Sequence, residues 1–218
     1  MRRIKGIDVS HWNGDVDFKA VKASGIDFVI LKAGGSEYGY YTDKLFETNY
    51  QKAVEAGLSV GAYYFVGKNF LTATEGLKCA QHFHHILIGK KFDYPIYCDV
   101  ETTDRRYKKE ATDAALSFCL TLESLGYFVG IYASDISGFR ERLEHERLKE
   151  YTHWCARYGK EPEYCLPDMW QYSSKGTVPG ISGSVDLDFA YRDFAKLIKE
   201  KGFNGYTKQS KKEGSKKK

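Results

Sequence analysis

With 218 residues, the chain has room for one domain with a full-sized hydrophobic core, so neither disulfides nor a structural metal is needed to hold it. Its formal charge of +4 is a terminal effect: residues 208–218 hold six lysines and one glutamate, a surplus of +5, which leaves residues 1–207 at −1. A body so close to neutral lacks the domain-wide basic bias of a nucleic-acid enzyme, and no apolar run is long enough for membrane insertion.

Residues 4–9 are the first predicted strand, and Asp17 then caps a helix that stops at Gly25. Phe28, Val29, Ile30 and Leu31 form a continuous apolar run, the pattern of a strand covered on both faces. Thr42 is placed as the cap of a second helix, with Leu45, Phe46, Ala53 and Ala56 inward and Gly57 at its end. Residues 60–65 make the third strand. Thr72 and Glu75 have the spacing of a capping box and open a helix toward Gly89. A fourth strand spans 95–101. Over 109–125 the apolar positions Ala111, Ala115, Phe118, Cys119, Leu122 and Leu125 recur at helical steps, and 127–132 is the fifth strand. Strands alternating with helices in this way imply parallel neighbours joined by right-handed crossovers.

The last third changes rhythm. Strand candidates at 151–157, 168–172 and 184–188 are separated by only about ten residues each, and Pro162, Pro167 and Pro179 exclude full helices there. A helix returns at 189–201. The predicted fold is therefore α/β: a single irregular eight-stranded β/α barrel lacking helices between its last strands, and shorter than the usual ~250-residue form. A doubly wound open sheet is the alternative. Residues 1–202 are assigned to the catalytic barrel, and 203–218 to a lysine-rich, disordered tail or the start of a linker.

Five cysteines (Cys79, Cys98, Cys119, Cys155, Cys165) show no CxxC spacing and are read as buried free thiols of a reducing compartment. His82, His84 and His85 lie in a helical pattern without a Cys or Glu at ligand spacing, so no metal and no cofactor are expected. The basic N-terminus is not followed by the apolar segment of a signal peptide, and synthesis in the cytoplasm followed by release is the expectation.

Catalytic groups of a β/α barrel sit at the carboxyl ends of its strands. Asp8 is near the end of strand one, Asp99 and Glu101 end strand four, and Asp186 and Asp188 are assigned to the end of strand eight. Closing the barrel makes strands one and eight neighbours, so their acids would face the strand-four pair across the mouth. Side chains two apart on a strand share a face with a rise of ~3.3 Å per residue, so the carboxyls of Asp99 and Glu101 would lie roughly 6–7 Å apart. Retaining glycosidases hold their acids ~5–5.5 Å apart and inverting ones ~6.5–9.5 Å, so the spacing fits glycoside hydrolysis and leaves the stereochemistry open. Glu101, with the longer reach, is assigned as general acid and Asp99 as its charged partner. Trp12, Tyr63, Tyr132, Trp154, Trp170 and Tyr172, all near predicted strand ends, are assigned with Asp188 to substrate binding, because rings stack on sugar faces.

These stretches resemble glycoside hydrolase family 25, the lysozymes of phage endolysins and bacterial autolysins. The resemblance runs through eight segments in order: 6–12 (Gly-Ile-Asp-Val-Ser-His-Trp), 27–32, 61–65 (Gly-Ala-Tyr-Tyr-Phe), 99–101, 130–132, 154–158 (Trp-Cys-Ala-Arg-Tyr), 170–172 and 185–188 (Val-Asp-Leu-Asp). It implies N-acetylmuramidase activity on peptidoglycan glycan strands, cutting the β-1,4 bond between N-acetylmuramic acid and N-acetylglucosamine. It further implies Glu101 as acid, Asp99 assisting by orienting the substrate acetamido group or stabilising charge, and Asp8 and Asp186 lining the same site. Asn13 stands where relatives often carry glutamine. A non-catalytic carbohydrate-binding barrel, a chitinase-like enzyme and a glucosaminidase are the competing readings.

Overall fold

A computed structural model describes residues 3–208. Eight strands close into one barrel in the order β1 (Ile4–Val9), β2 (Phe28–Gly35), β4 (Ser59–Phe65), β5 (Ile96–Asp99), β6 (Val129–Ser134), β7 (Thr152–Ala156), β8 (Met169–Gly176) and β9 (Val185–Ala190), which returns to β1. A two-residue strand, β3 (Tyr41–Thr42), pairs with the end of β2 outside this ring. The helices α1 (Phe18–Ala23), α2 (Phe46–Glu55), α3 (Ala73–Leu87), α4 (Lys108–Ser124) and α5 (Phe194–Lys201) complete the fold. The predicted barrel without helices between its last strands is what forms. No described helix is long and apolar enough to cross a membrane.

Two cores follow from the two faces of the strands. The larger lies between barrel and helices and includes Val29, Leu31, Phe83, Phe118 and Cys98. The smaller plugs the barrel interior with Phe28, Ile30, Tyr97, Trp154 and Met169. Those rings leave no volume opposite them for side chains: a Cβ on Gly6 would enter the Phe28 ring, and one on Gly130 would meet Tyr97. A filled barrel of this kind has no through-channel, so ligands are confined to its mouth.

Three sequence expectations change. First, β9 runs antiparallel to both β8 and β1, because the segment between Gly176 and Val185 is too short for the crossover that parallel neighbours need. Asp186 and Asp188 therefore lie at the beginning of their strand, not its end; the reversal brings that beginning to the rim where the other strands finish. Second, Thr42 belongs to β3, and α2 starts at Phe46 with no side-chain cap, while the Asp43 carboxylate accepts from the Leu45 N–H at 3.0 Å. The last helix likewise begins at Phe194, since β9 continues to Ala190. Third, the folded body extends past residue 202. Asn204 is fully buried beneath the barrel, its side chain accepting from the Phe128 N–H at 2.7 Å and donating to the Tyr94 carbonyl at 2.9 Å. Phe203 and Tyr206 pack against the inner core. Of the disordered tail expected over 203–218, residues 209–218 lie outside the described residues.

Candidate active site

Alternation along the strands sorts the inward side chains into layers. On β5, Tyr97, Asp99 and the following Glu101 share one face, rising from the plugged interior through the floor of the mouth to its rim. On β9 the same ladder reads Ala190, Asp188, Asp186. Asp8 on β1 stands directly opposite Asp186 in the β1–β9 register. Asp8, Asp99, Glu101 and Asp186 thus open onto one cleft of about 560 Å³, with the β1–β9 acids on one wall and the β5 acids on another. The convergence expected from the sequence is present.

The floor is aromatic. Trp154 is almost fully buried, its ring 4.4 Å from that of Tyr132 and edge-on to Tyr63 at 6.0 Å. Its indole N–H donates to Asp188 at 2.7 Å. Asp188 is entirely buried below Asp186 and does not line the cleft; its role is to anchor that floor. Trp12 is different: it is 83% exposed and stands on the rim. It belongs to the short 3-10 turn His11–Asn13, which Ser10 and Asn13 close by reciprocal side-chain caps and which the buried Asp43 fixes through His11 Nδ1 at 2.6 Å.

Trp170 and Tyr172 do not line the cleft. Met169 and Gln171 take the inward positions of β8, so the alternating Trp170 faces out, its indole donating to the Arg157 carbonyl at 2.8 Å. Tyr172 stacks on Phe189 at 4.3 Å. Residues without a role in the sequence reading line the cleft instead, among them Lys32, Glu37, Tyr38, Tyr158 and Gln171. Gln171 is a connector, donating to Asp8 at 2.8 Å while its carbonyl accepts from Tyr132 at 2.8 Å and from Tyr158 at 3.0 Å. Lys32, the charge that ends the apolar run 28–31, is buried at the mouth 3.5 Å from Glu37. Strand alternation, which carries Phe28 and Ile30 inward, is the signal that places it there.

The carboxyls of Asp8, Asp99, Glu101, Asp186 and Asp188 are shifted upward. Burial raises Asp99 well above the usual aspartate range and the charge of Glu101 raises it further, while Lys32 opposes both. Glu101 is exposed as a residue, yet its carboxyl is turned into the cleft and held above its ordinary value by partial burial; its contact with Asp99 and the Arg142 guanidinium pull the other way. The β5 pair as a unit therefore retains a proton above the ordinary carboxylate range. Across the mouth, burial and the charges of Asp188 and Asp186 raise Asp8, and burial pushes Asp186 to about 6 and Asp188 to about 8. Asp188 Oδ2 and Asp99 Oδ1 have no hydrogen-bond partner among the described residues. His82, His84 and His85 are used locally, on Tyr64, Tyr127 and the Gln81 carbonyl.

Carboxyls held at different protonation levels, converging above an aromatic floor at the mouth of a closed barrel, are the equipment of a glycoside hydrolase. Residues 7–181 match the model of the glycosyl hydrolases family 25, and the chain belongs to that family. It is 34% identical over 187 residues to the autolytic lysozyme of Clostridium acetobutylicum, an alignment covering 85% of this chain and 55% of that protein. Lysozyme M1 of Streptomyces globisporus is 29% identical over 211 residues, 89% of this chain and 70% of that one. Among solved structures, the CTP1L endolysin aligns with a TM-score of 0.77 at 30% identity, over 89% of this chain and 69% of the endolysin. The autolysin LytC of Streptococcus pneumoniae, solved with a synthetic peptidoglycan ligand, aligns at 0.77 and 25% identity over 87% of this chain and 47% of that one. The chain thus spans about half the length of two of these relatives.

Proposed function

We propose that this chain is a muramidase, hydrolysing the β-1,4 bond between N-acetylmuramic acid and N-acetylglucosamine in bacterial cell-wall glycan. The observation that carries the reading is the Asp99–Glu101 ladder on β5: two carboxyls on one strand face, one buried and one at the rim, facing the acids of β1 and β9 over a cleft of about 560 Å³. Glu101 is the group with access to a glycosidic oxygen. With the cleft open to solvent, burial favours the shared proton on Asp99, the deeper member. A glycan strand covering the rim desolvates Glu101 as well and drives the proton outward onto it, so that Glu101 donates to the leaving oxygen and Asp99 becomes the carboxylate that steadies positive charge or the substrate acetamido group. Trp12 and Tyr38, exposed on the rim, offer sugar-stacking faces, and Gln171 holds Asp8, Tyr132 and Tyr158 in one network behind the reacting bond.

The relatives support this reading: two carry lysozyme in their names, and LytC has been seen with a peptidoglycan ligand. Mass spectrometry of fragments from purified peptidoglycan tests it. Reducing ends on muramic acid are expected; reducing ends on glucosamine would make the enzyme a glucosaminidase and overturn the assignment.

A further inference from the structure

A second cluster of donor groups lies on the flank of the barrel. On β7, His153 and Cys155 share the outward face, while Trp154 between them turns into the mouth. His145, in the 3-10 turn His145–Arg147, and Cys165, on the loop before β8, close over them. One ring nitrogen of each histidine and the Cys165 sulfur lie within 4.8 Å of one another. Cys155 sits beside Cys165.

We propose that His145, His153 and Cys165 form a structural site for a borderline divalent cation of the zinc class, with the Cys155 thiol packed beside the Cys165 ligand. His145 Nε2 and His153 Nδ1 are 3.4 Å apart. Two nitrogens on a tetrahedral zinc, each ~2.0–2.1 Å from the ion, are ~3.3–3.4 Å apart. His153 is also in the right tautomer: its Nε2 donates to the Leu148 carbonyl at 3.1 Å, which leaves the Nδ1 lone pair aimed at the cluster. A backbone carbonyl on the far nitrogen is the usual support of a metal-bound histidine. The Cys165 loop is fixed independently, because the Asp135 carboxylate accepts from the N–H groups of Glu163, Tyr164 and Cys165 at 2.8, 3.1 and 2.9 Å. Two nitrogens and a sulfur make a donor set that suits zinc and not calcium or magnesium. His153, Cys155 and Cys165 are buried and His145 is half-buried, which gives an ion one side of entry. Binding replaces the histidine–histidine contact and releases the Cys165 thiol proton.

The test uses the full chain, reduced and stripped with a chelator, then titrated with Co²⁺ and with Zn²⁺. One cobalt per chain is expected, with the intense visible bands of a tetrahedral site and a thiolate-to-cobalt charge-transfer band, both abolished by zinc. Zinc at a hundred times its Kd should raise Tm by about 5–10 °C. Cys165→Ser should remove the charge-transfer band. His145→Asn, at a half-buried position, should weaken binding by more than ~10–100-fold, the loss typical of a mere supporting contact, with the metal-free Tm unchanged. A cobalt spectrum without thiolate character, full affinity in both variants, or binding lost on His85→Ala would overturn the proposal.

Discussion

On the β5 side of the mouth, two carboxyls share their surroundings with the Lys32 ammonium and the Arg142 guanidinium, both of which favour ionisation. On the β1–β9 side, three carboxyls are crowded together, and the donors that reach them are neutral: the Gln171 amide to Asp8 and the Trp154 indole to Asp188. Burial opposes charge on both walls, but only the first has cations to offset it. The β5 pair can therefore pass between one proton and none in the course of a reaction, while on the β1–β9 wall the deepest acid, Asp188, pushed to about 8, keeps its proton in the folded protein. One functional group, the carboxyl, thus serves as proton donor on one side and, at Asp188, as neutral hydrogen-bonding support on the other, and the neighbours decide which.

The most severe way to break this contrast is to remove the proton donor. Glu101→Gln should lower kcat for wall lysis by about 10²–10⁴-fold, the worth of a positioned general acid, and leave Tm unchanged because the side chain stands at the rim. Lysis within tenfold of the parent would move the acid elsewhere. Asp99→Asn comes next, with a loss of about 10²-fold in kcat, since an amide neither holds the shared proton nor becomes a carboxylate beside the reacting sugar. Fragment release measured under single-turnover conditions checks it, and a near-parental rate would leave Asp99 only a packing role.

Much of this architecture was legible from spacing alone. Asp99 and Glu101 two apart on an apolar strand, and Asp8 on a strand that must neighbour the last one, place four acids at one rim once the barrel closes. Strand direction was not legible: Val185–Ala190 reads the same way in either sense, and only the length of the preceding loop reverses it. The aromatics were overread for a related reason. Trp170 and Tyr172 end a strand near the mouth, but side-chain alternation gives the inward place to Gln171, whose amide says nothing of ligand binding until its partners are known. Asn204 was missed because its burial depends on two segments far away in sequence, one holding Phe92 and Tyr94 and the other Gly126 and Phe128.

The β1–β9 wall makes a prediction about stability. An acid whose folded pKa is about 8 binds a proton in the folded state that the unfolded chain has already released, so unfolding gives up a proton across the window from about 4 to 8. Stability then falls as pH rises through that window, by up to ~1.4 kcal/mol per pH unit for one such group. Asp188→Asn keeps an oxygen for the Trp154 N–H and removes the titration. Thermal melts from pH 4 to 9 should show the variant matching the parent at the acid end and exceeding it at the alkaline end; an equal loss at every pH would mean that Asp188 is charged in the folded protein.

The smallest effect joins the two walls. Asp186 raises the pKa of Glu101 from across the mouth, ranking behind burial. Removing a negative neighbour makes ionisation easier, so Asp186→Asn should shift the alkaline limb of the kcat/KM profile to lower pH by less than one unit. Because Asp186 itself titrates at about 6, its charge acts only above that point, and the two profiles should converge on the acid side and separate beyond it. A profile lowered by one factor at every pH would instead mean that the Asp186 oxygens touch the glycan directly, and the two walls would then share the substrate instead of dividing its chemistry between donor and support.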